Sequence, residues 1–191
     1  MGQTPGDGRM RAQQGFTLIE LMVAVAVLGI VVGLAVPGFQ STVNGNRLAS
    51  ASNELIATMQ VARMEAIRRN RRVAVCASAN ANAGDDATCA TSNIDGVIAY
   101  IDASPHGNFD KNTDTLLRNT SFAGTLEITG DTFLDYRSDG LARDGAGGLV
   151  TAGEIRLRLD ARQPTKNVRC IDISTGGAAV RTPETHDAAC N

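Results

Sequence analysis

The chain opens on a polar stretch, residues 1–15, and passes without a spacer into an almost unbroken apolar run over 16–36. As a helix rising about 1.5 Å per residue that run is roughly 31 Å long, enough to cross the hydrocarbon core of a bilayer. One carboxylate, Glu20, interrupts it. An intramembrane charge is costly without a cationic partner or a proton, which marks the position as functional. Pro37 follows the run, and a proline within a helix removes a hydrogen bond and kinks or breaks it. From 39 to 69 the pattern turns amphipathic. Leu48, Leu55, Met59, Ala62 and Ala66 recur at helical spacing with Ile56 and Ile67 beside them, and Ser52, Asn53, Gln60, Arg63 and Arg68 take the other surface. A stripe of this kind is core packing.

Beyond Arg72 the pattern breaks into short runs bounded by Gly, Asn, Asp or Pro, which predict strands over 73–77, 97–101, 115–117, 125–128, 134–136, 154–159 and 168–173. The clearest alternation sets Ile155, Leu157 and Leu159 against Arg156, Arg158 and Asp160. Residues 137–153 are Gly-rich and read as a loop. The expected fold is α+β: a long N-terminal helix, membrane-spanning in its first half, packed on a small C-terminal β-sheet domain. The expected divisions are a leader over 1–15, a transmembrane helix over 16–36, an amphipathic helix over 37–72 and a β-rich globular domain over 73–191.

Charge changes this picture in one respect. A net charge of −2 gives no bulk attraction for nucleic acid or anionic lipid. Arg9 and Arg11, against Asp7, give the leader a positive balance, which predicts that the N-terminus stays in the cytoplasm and the rest is exported. No small-residue cleavage site follows the apolar run, so it is retained as a single span. The four cysteines, Cys76, Cys89, Cys170 and Cys190, all lie beyond it, which predicts two disulfides in an oxidising compartment. Three connectivities exist; the local pairs Cys76–Cys89 and Cys170–Cys190 are favoured because each closes a short loop.

Chemistry is harder to find. No cysteine pair has CxxC spacing, and with two histidines in the chain the sequence offers no zinc site. His106 and His186 are isolated, no serine nucleophile elbow or phosphate loop occurs, and Gly145-Ala146-Gly147-Gly148 lacks the strand and helix of a dinucleotide site. No enzyme, cofactor or metal is expected. Asp102, Ser104, His106, Asn108, Asp110, Asn112 and Asp114 make an oxygen-rich loop. It resembles a calcium loop only loosely, without the late bidentate Glu, and reads as solvated. The run Arg68-Arg69-Asn70-Arg71-Arg72 reads as solvated cations complementing a helix C-terminus, with no aromatic interleaved for base stacking.

Gly15-Phe16-Thr17-Leu18-Ile19-Glu20 resembles the processing site of type IV pilins and type II secretion pseudopilins. The resemblance implies that a prepilin peptidase cuts after Gly15 and methylates the new amine of Phe16. It also implies that Glu20 pairs with the N-terminal amine of a neighbouring subunit, and that the helix bends or locally melts at Pro37. A narrower resemblance follows the helix. Residues 55–70, then Val73-Ala74-Val75-Cys76, Asp95-Gly96-Val97, Leu116-Leu117-Arg118, Ser138-Asp139-Gly140 and Ser174-Thr175-Gly176 are similar to the GspH/FimT family of minor pilins and pseudopilins. This implies a minor pilin that primes or caps a type IV pilus, anchored in the inner membrane with a periplasmic head and carried to the pilus tip. The implied partners are the peptidase, other minor and major pilins, the inner-membrane assembly platform and the lipid bilayer. Two alternatives remain: a type II secretion pseudopilin, and a DNA-binding pilin of uptake. Some members of the FimT branch bind DNA through Gly-Arg-any-Arg. Gly176-Gly177-Ala178-Ala179-Val180-Arg181 keeps only Arg181 of the two arginines, which argues against DNA as a main ligand.

Overall fold

The computed structural model describes residues 16–103, 108–122, 126–159, 164–181 and 189–190. Helix α1 (Leu18–Arg69) comes first, and Pro37 falls within its assigned residues. The chain divides into two compact units on either side of the Gly38–Phe39 junction. In the N-terminal unit every described side chain of 16–36 is exposed.

In the C-terminal unit, Leu48, Ala51, Leu55, Met59, Ala62 and Ala66 of α1 are buried, spaced three or four residues apart as one helical face requires, the Leu48–Leu55 and adjoining steps included. Ser52 corrects the sequence reading. It is buried on this face rather than solvated, and its hydroxyl donates to the Leu48 carbonyl at 2.8 Å, so burial leaves no polar group unmet. The helix ends at Asn70, which takes a φ of 51°. Arg71 N–H bonds the Ala66 carbonyl and Asn70 N–H the Ile67 carbonyl, the paired closing bonds of a left-handed C-cap.

Among the described residues nine strands follow: β1 (Val73–Ser78), β2 (Gly96–Ile101), β3 (Thr115–Ser121), β4 (Leu126–Gly130), β5 (Phe133–Tyr136), β6 (Ala142–Arg143), β7 (Gly153–Leu159), β8 (Val168–Ser174) and β9 (Gly177–Arg181). They form two antiparallel sheets rather than the single one expected, in the orders β3-β2-β1-β5-β6 and β4-β7-β8-β9. The helix face and the inner faces of both sheets share one core, from Leu48 and Leu55 through Val75 and Leu134 to Leu157 and Ile171.

β1 and β2 are buried at every position, because both faces of the first sheet are covered there. Val73, Val75 and Ala77 join the main core. Ala74 and Cys76 join a second cluster with Ala81, Ile98 and Tyr100, roofed by a short 3-10 helix (Ala81–Asp86). That explains why these strands read as apolar runs, whereas β7, covered on one face, alternates. Gly96 is required by this roof: a Cβ there would lie 2.2 Å from the Thr120 carbonyl oxygen and 2.6 Å from the Ala81 Cβ. Disulfides join Cys76 to Cys89 and Cys170 to Cys190.

Candidate functional site: the start of the apolar helix

Phe16 and Thr17 precede α1. The Thr17 carbonyl accepts the Leu21 N–H at 3.1 Å, and the Thr17 hydroxyl oxygen accepts the Glu20 N–H at 3.3 Å. Thr17 is therefore the N-cap, filling one of the donors that a helix start leaves open. The sequence reading missed this. The signal was present, since Thr17-Leu18-Ile19-Glu20 has the Ser/Thr-any-any-Glu spacing of a capping box. Glu20 occupies the first turn, where the positive end of the helix dipole favours a carboxylate. From Leu18 onward α1 carries a window long and apolar enough to cross a membrane, with none of it buried in the protein. Phe16 is 85% exposed and Leu34 76%, a surface unsuited to water. Gly15 lies outside the described residues.

The other residues singled out by sequence fall elsewhere. Arg181, at the end of β9, donates to Asp172 at 3.2 Å, lies 3.6 Å from Glu154 and bonds the Cys190 carbonyl. Its charge is thus spent on two acids of its own sheet. Hydrogen bonding to Asp172 raises its pKa further, so it stays cationic but neutralised. Of the oxygen-rich loop, 104–107 lie outside the described residues, His106 among them. Asp114 accepts from the Ala103 and Asp110 N–H groups, and Asp110 from the Asn112 N–H, so these carboxylates close the loop on itself. No group of three or more His, Cys, Asp or Glu is placed to hold a metal among the described residues. His186 is also outside them.

The basic run needs a correction. Arg68 and Arg69 complement the helix end and pair with Glu65. Arg72, read as solvated, is largely buried, with its Nε 3.3 Å from Asp102 and 3.2 Å from Asp135. Sequence could not show this, because the two acids are supplied by distant strands. The other family-like segments are fasteners too. Asp95 accepts the Ala81 N–H at the start of the 3-10 helix, Arg118 donates to Glu54 of α1, and Asp139 is held by Arg143. Thr175 and Gly176 offer carbonyls to the Ala142 N–H and to Arg63.

The N-terminal unit is thus a capped, exposed apolar helix, long and apolar enough to cross a membrane, with one carboxylate in its first turn, and the C-terminal unit is an α+β head of helix-backed antiparallel sheets. Residues 51–177 match the family described as Type II transport protein GspH, and residues 10–36 match the prokaryotic N-terminal methylation motif. The chain belongs to the GspH family. It is 44% identical over 48 residues to the type IV major alpha-pilin of Moraxella bovis, covering 25% of this chain and 30% of that one. It is 44% identical over 64 residues to type II secretion system protein H of Pseudomonas aeruginosa, covering 32% of this chain and 36% of that one. These alignments therefore span about a third of each relative's length. The crystal structure of the Pseudomonas aeruginosa type IV minor pilin FimU aligns over 73% of this chain and 95% of its own, with 18% identity and a TM-score of 0.48.

Proposed function

We propose that this chain is a minor pilin, a structural subunit that primes or caps a type IV pilus. Leader removal between Gly15 and Phe16 frees the Phe16 amine, which is the methylation site. The processed chain waits in the inner membrane as a single-pass protein with its head in the periplasm, and leaves for the pilus tip. Its partners are the prepilin peptidase, the assembly platform and other pilins. The observation that carries this reading is Glu20 in the first turn of a fully exposed apolar helix. Such a carboxylate in lipid needs a cation, and the N-terminal amine of an adjacent subunit is the cation that assembly brings near.

Removing one partner of a buried charge pair costs about 3–5 kcal/mol, so Glu20→Val should lower filament incorporation by well over tenfold and leave leader removal intact. Immunoblots of sheared filaments and of membranes measure the two separately. Normal incorporation of Glu20→Val would remove Glu20 from the mechanism.

A second reading, a pseudopilin of type II secretion, is favoured by the identity to a type II secretion protein H. Co-purification separates the two: cross-linking to pilus minor pilins supports the first, cross-linking to secretion pseudopilins the second. DNA contact through Arg181 is left out, because Asp172 and Glu154 already neutralise it.

A further inference from the structure

We propose that the Cys76–Cys89 disulfide is an exchange site for a small-molecule thiol, with Cys89 the sulfur attacked and Cys76 the sulfur released. The two disulfides of the head differ in what surrounds them. Cys170 and Cys190 are 0% and 2% exposed and pack with Val168 in an apolar cluster of their own. Cys76 is as deeply buried, at 2%, but its partner Cys89 is half-buried. Beside this bond lies a cavity of about 370 Å³, lined by both cysteines, by Thr132 and Phe133, and by the exposed Thr91 and Ser92. That volume falls in the range of small-molecule sites. A thiolate has to reach a disulfide sulfur to attack it, so access decides which bond exchanges.

The cavity also suits an anion. Among the described residues its lining carries no charged side chain, so no carboxylate there repels an approaching thiolate. The Tyr100 hydroxyl lies 3.8 Å from the Cys89 sulfur, and burial pushes its pKa above the ordinary value, so it stays neutral. In the exchange the incoming sulfur bonds to Cys89 Sγ as the Cys76–Cys89 bond breaks. The electron pair of that bond leaves on Cys76 as a thiolate, which takes a proton from water. The incoming thiol is thereby oxidised to a mixed disulfide and Cys76 is reduced, with no other oxidant or reductant consumed. Other contacts keep the segment in place once the bond is open. The Ala90 N–H donates to the Ala77 carbonyl at 2.8 Å, Cys89 bridges Ser78, and Asn80 accepts the Thr88 N–H at 2.8 Å. Cys76 therefore stays within reach to displace the added thiol and close the bond again.

The test treats the full-length chain in detergent micelles with reduced glutathione, quenches with N-ethylmaleimide and locates both groups by mass spectrometry. Cleavage before Asp85 puts Cys76 and Cys89 on separate peptides. Glutathione should appear on Cys89 and maleimide on Cys76 at least about tenfold faster than either appears on Cys170 or Cys190, because an enclosed bond reacts only after local opening. Thr91→Trp, an exposed change at the cavity mouth, should slow the reaction of Cys89 severalfold and leave the thermal melt in place. Equal rates for the two disulfides would overturn the proposal, as would glutathione on Cys76 in place of Cys89. So would a rate that climbs with urea below the unfolding transition, which would show reaction through the unfolded chain. Exchange of Thr91→Trp at the parent rate would also sink it, because the cavity would not be the route.

Discussion

Asp135 has no exposed surface, and its oxygens face Arg72 at 3.2 Å and Arg137 at 3.7 Å. Burial raises its pKa above the ordinary carboxylate value, and the attraction of Arg72, Arg137 and Arg143 offsets this only in part. A raised folded-state value means that the native protein holds this proton more tightly than the unfolded chain. The resulting stability is complete below the unfolded pKa of about 4 and is lost as pH rises through the folded value. Asp139 has the opposite sign. Arg143 and the Leu141 N–H hold its pKa down, so its contribution is lost on acidification. Asp135→Asn mimics the protonated form, and Arg72 keeps Asp102 at 3.3 Å. Thermal melts between about pH 4 and 7 should therefore show the Asn chain gaining on the parent as pH rises. A gap that narrows with pH would mean that ion pairing outweighs burial at this site.

Among the elements, those with a period in their own residues were legible in advance. The buried face of α1 and the alternating β7 were both readable, because one side of each is wet. β6 and β9 were missed. β6 is two residues long inside a Gly-rich stretch, and β9 is Gly-Ala-Ala-Val-Arg, which has little strand propensity of its own. β9 exists because the Thr175-Gly176 turn folds it back on β8 in register, Cys170 opposite Arg181 and Ser174 opposite Gly177. The disulfides act on these elements differently. Each closes a loop of 13 or 20 residues in sequence separation, and loops of that size yield about 3 kcal/mol from the unfolded chain. The Cys76–Cys89 loop is also fastened by Asn80, which accepts from the Thr88 N–H and hydroxyl and donates to the Asp86 carbonyl. Cys190 reaches the protein through its disulfide to Cys170 and its carbonyl bond to Arg181. Replacing either pair by serine should thus cost a similar amount in denaturant melts. Carboxypeptidase should trim the C-terminus only in the Cys170→Ser/Cys190→Ser chain; equal trimming of both would show the tail anchored by something else.

For the whole molecule, the division at Gly38–Phe39 separates two kinds of stability. Among the described residues the buried core of the C-terminal unit runs from Leu48 on α1 to Ile173 on β8. The exposed apolar surface of 16–36 belongs to the other unit and is suited to lipid or to neighbouring helices. The sequence itself shows a switch from an all-round apolar helix to an amphipathic one. It could not carry the two-sheet arrangement or the Arg72 cluster, which depend on contacts between segments that no local pattern links. A chain lacking residues 1–38 should therefore be soluble without detergent and melt cooperatively, within a few degrees of the full chain in micelles, as circular dichroism can measure. It should also fail to enter filaments, because Glu20 and its helix are gone. Loss of cooperative melting on truncation would show that the membrane segment contributes to the fold of the head, and the separation of anchor from head would then be wrong.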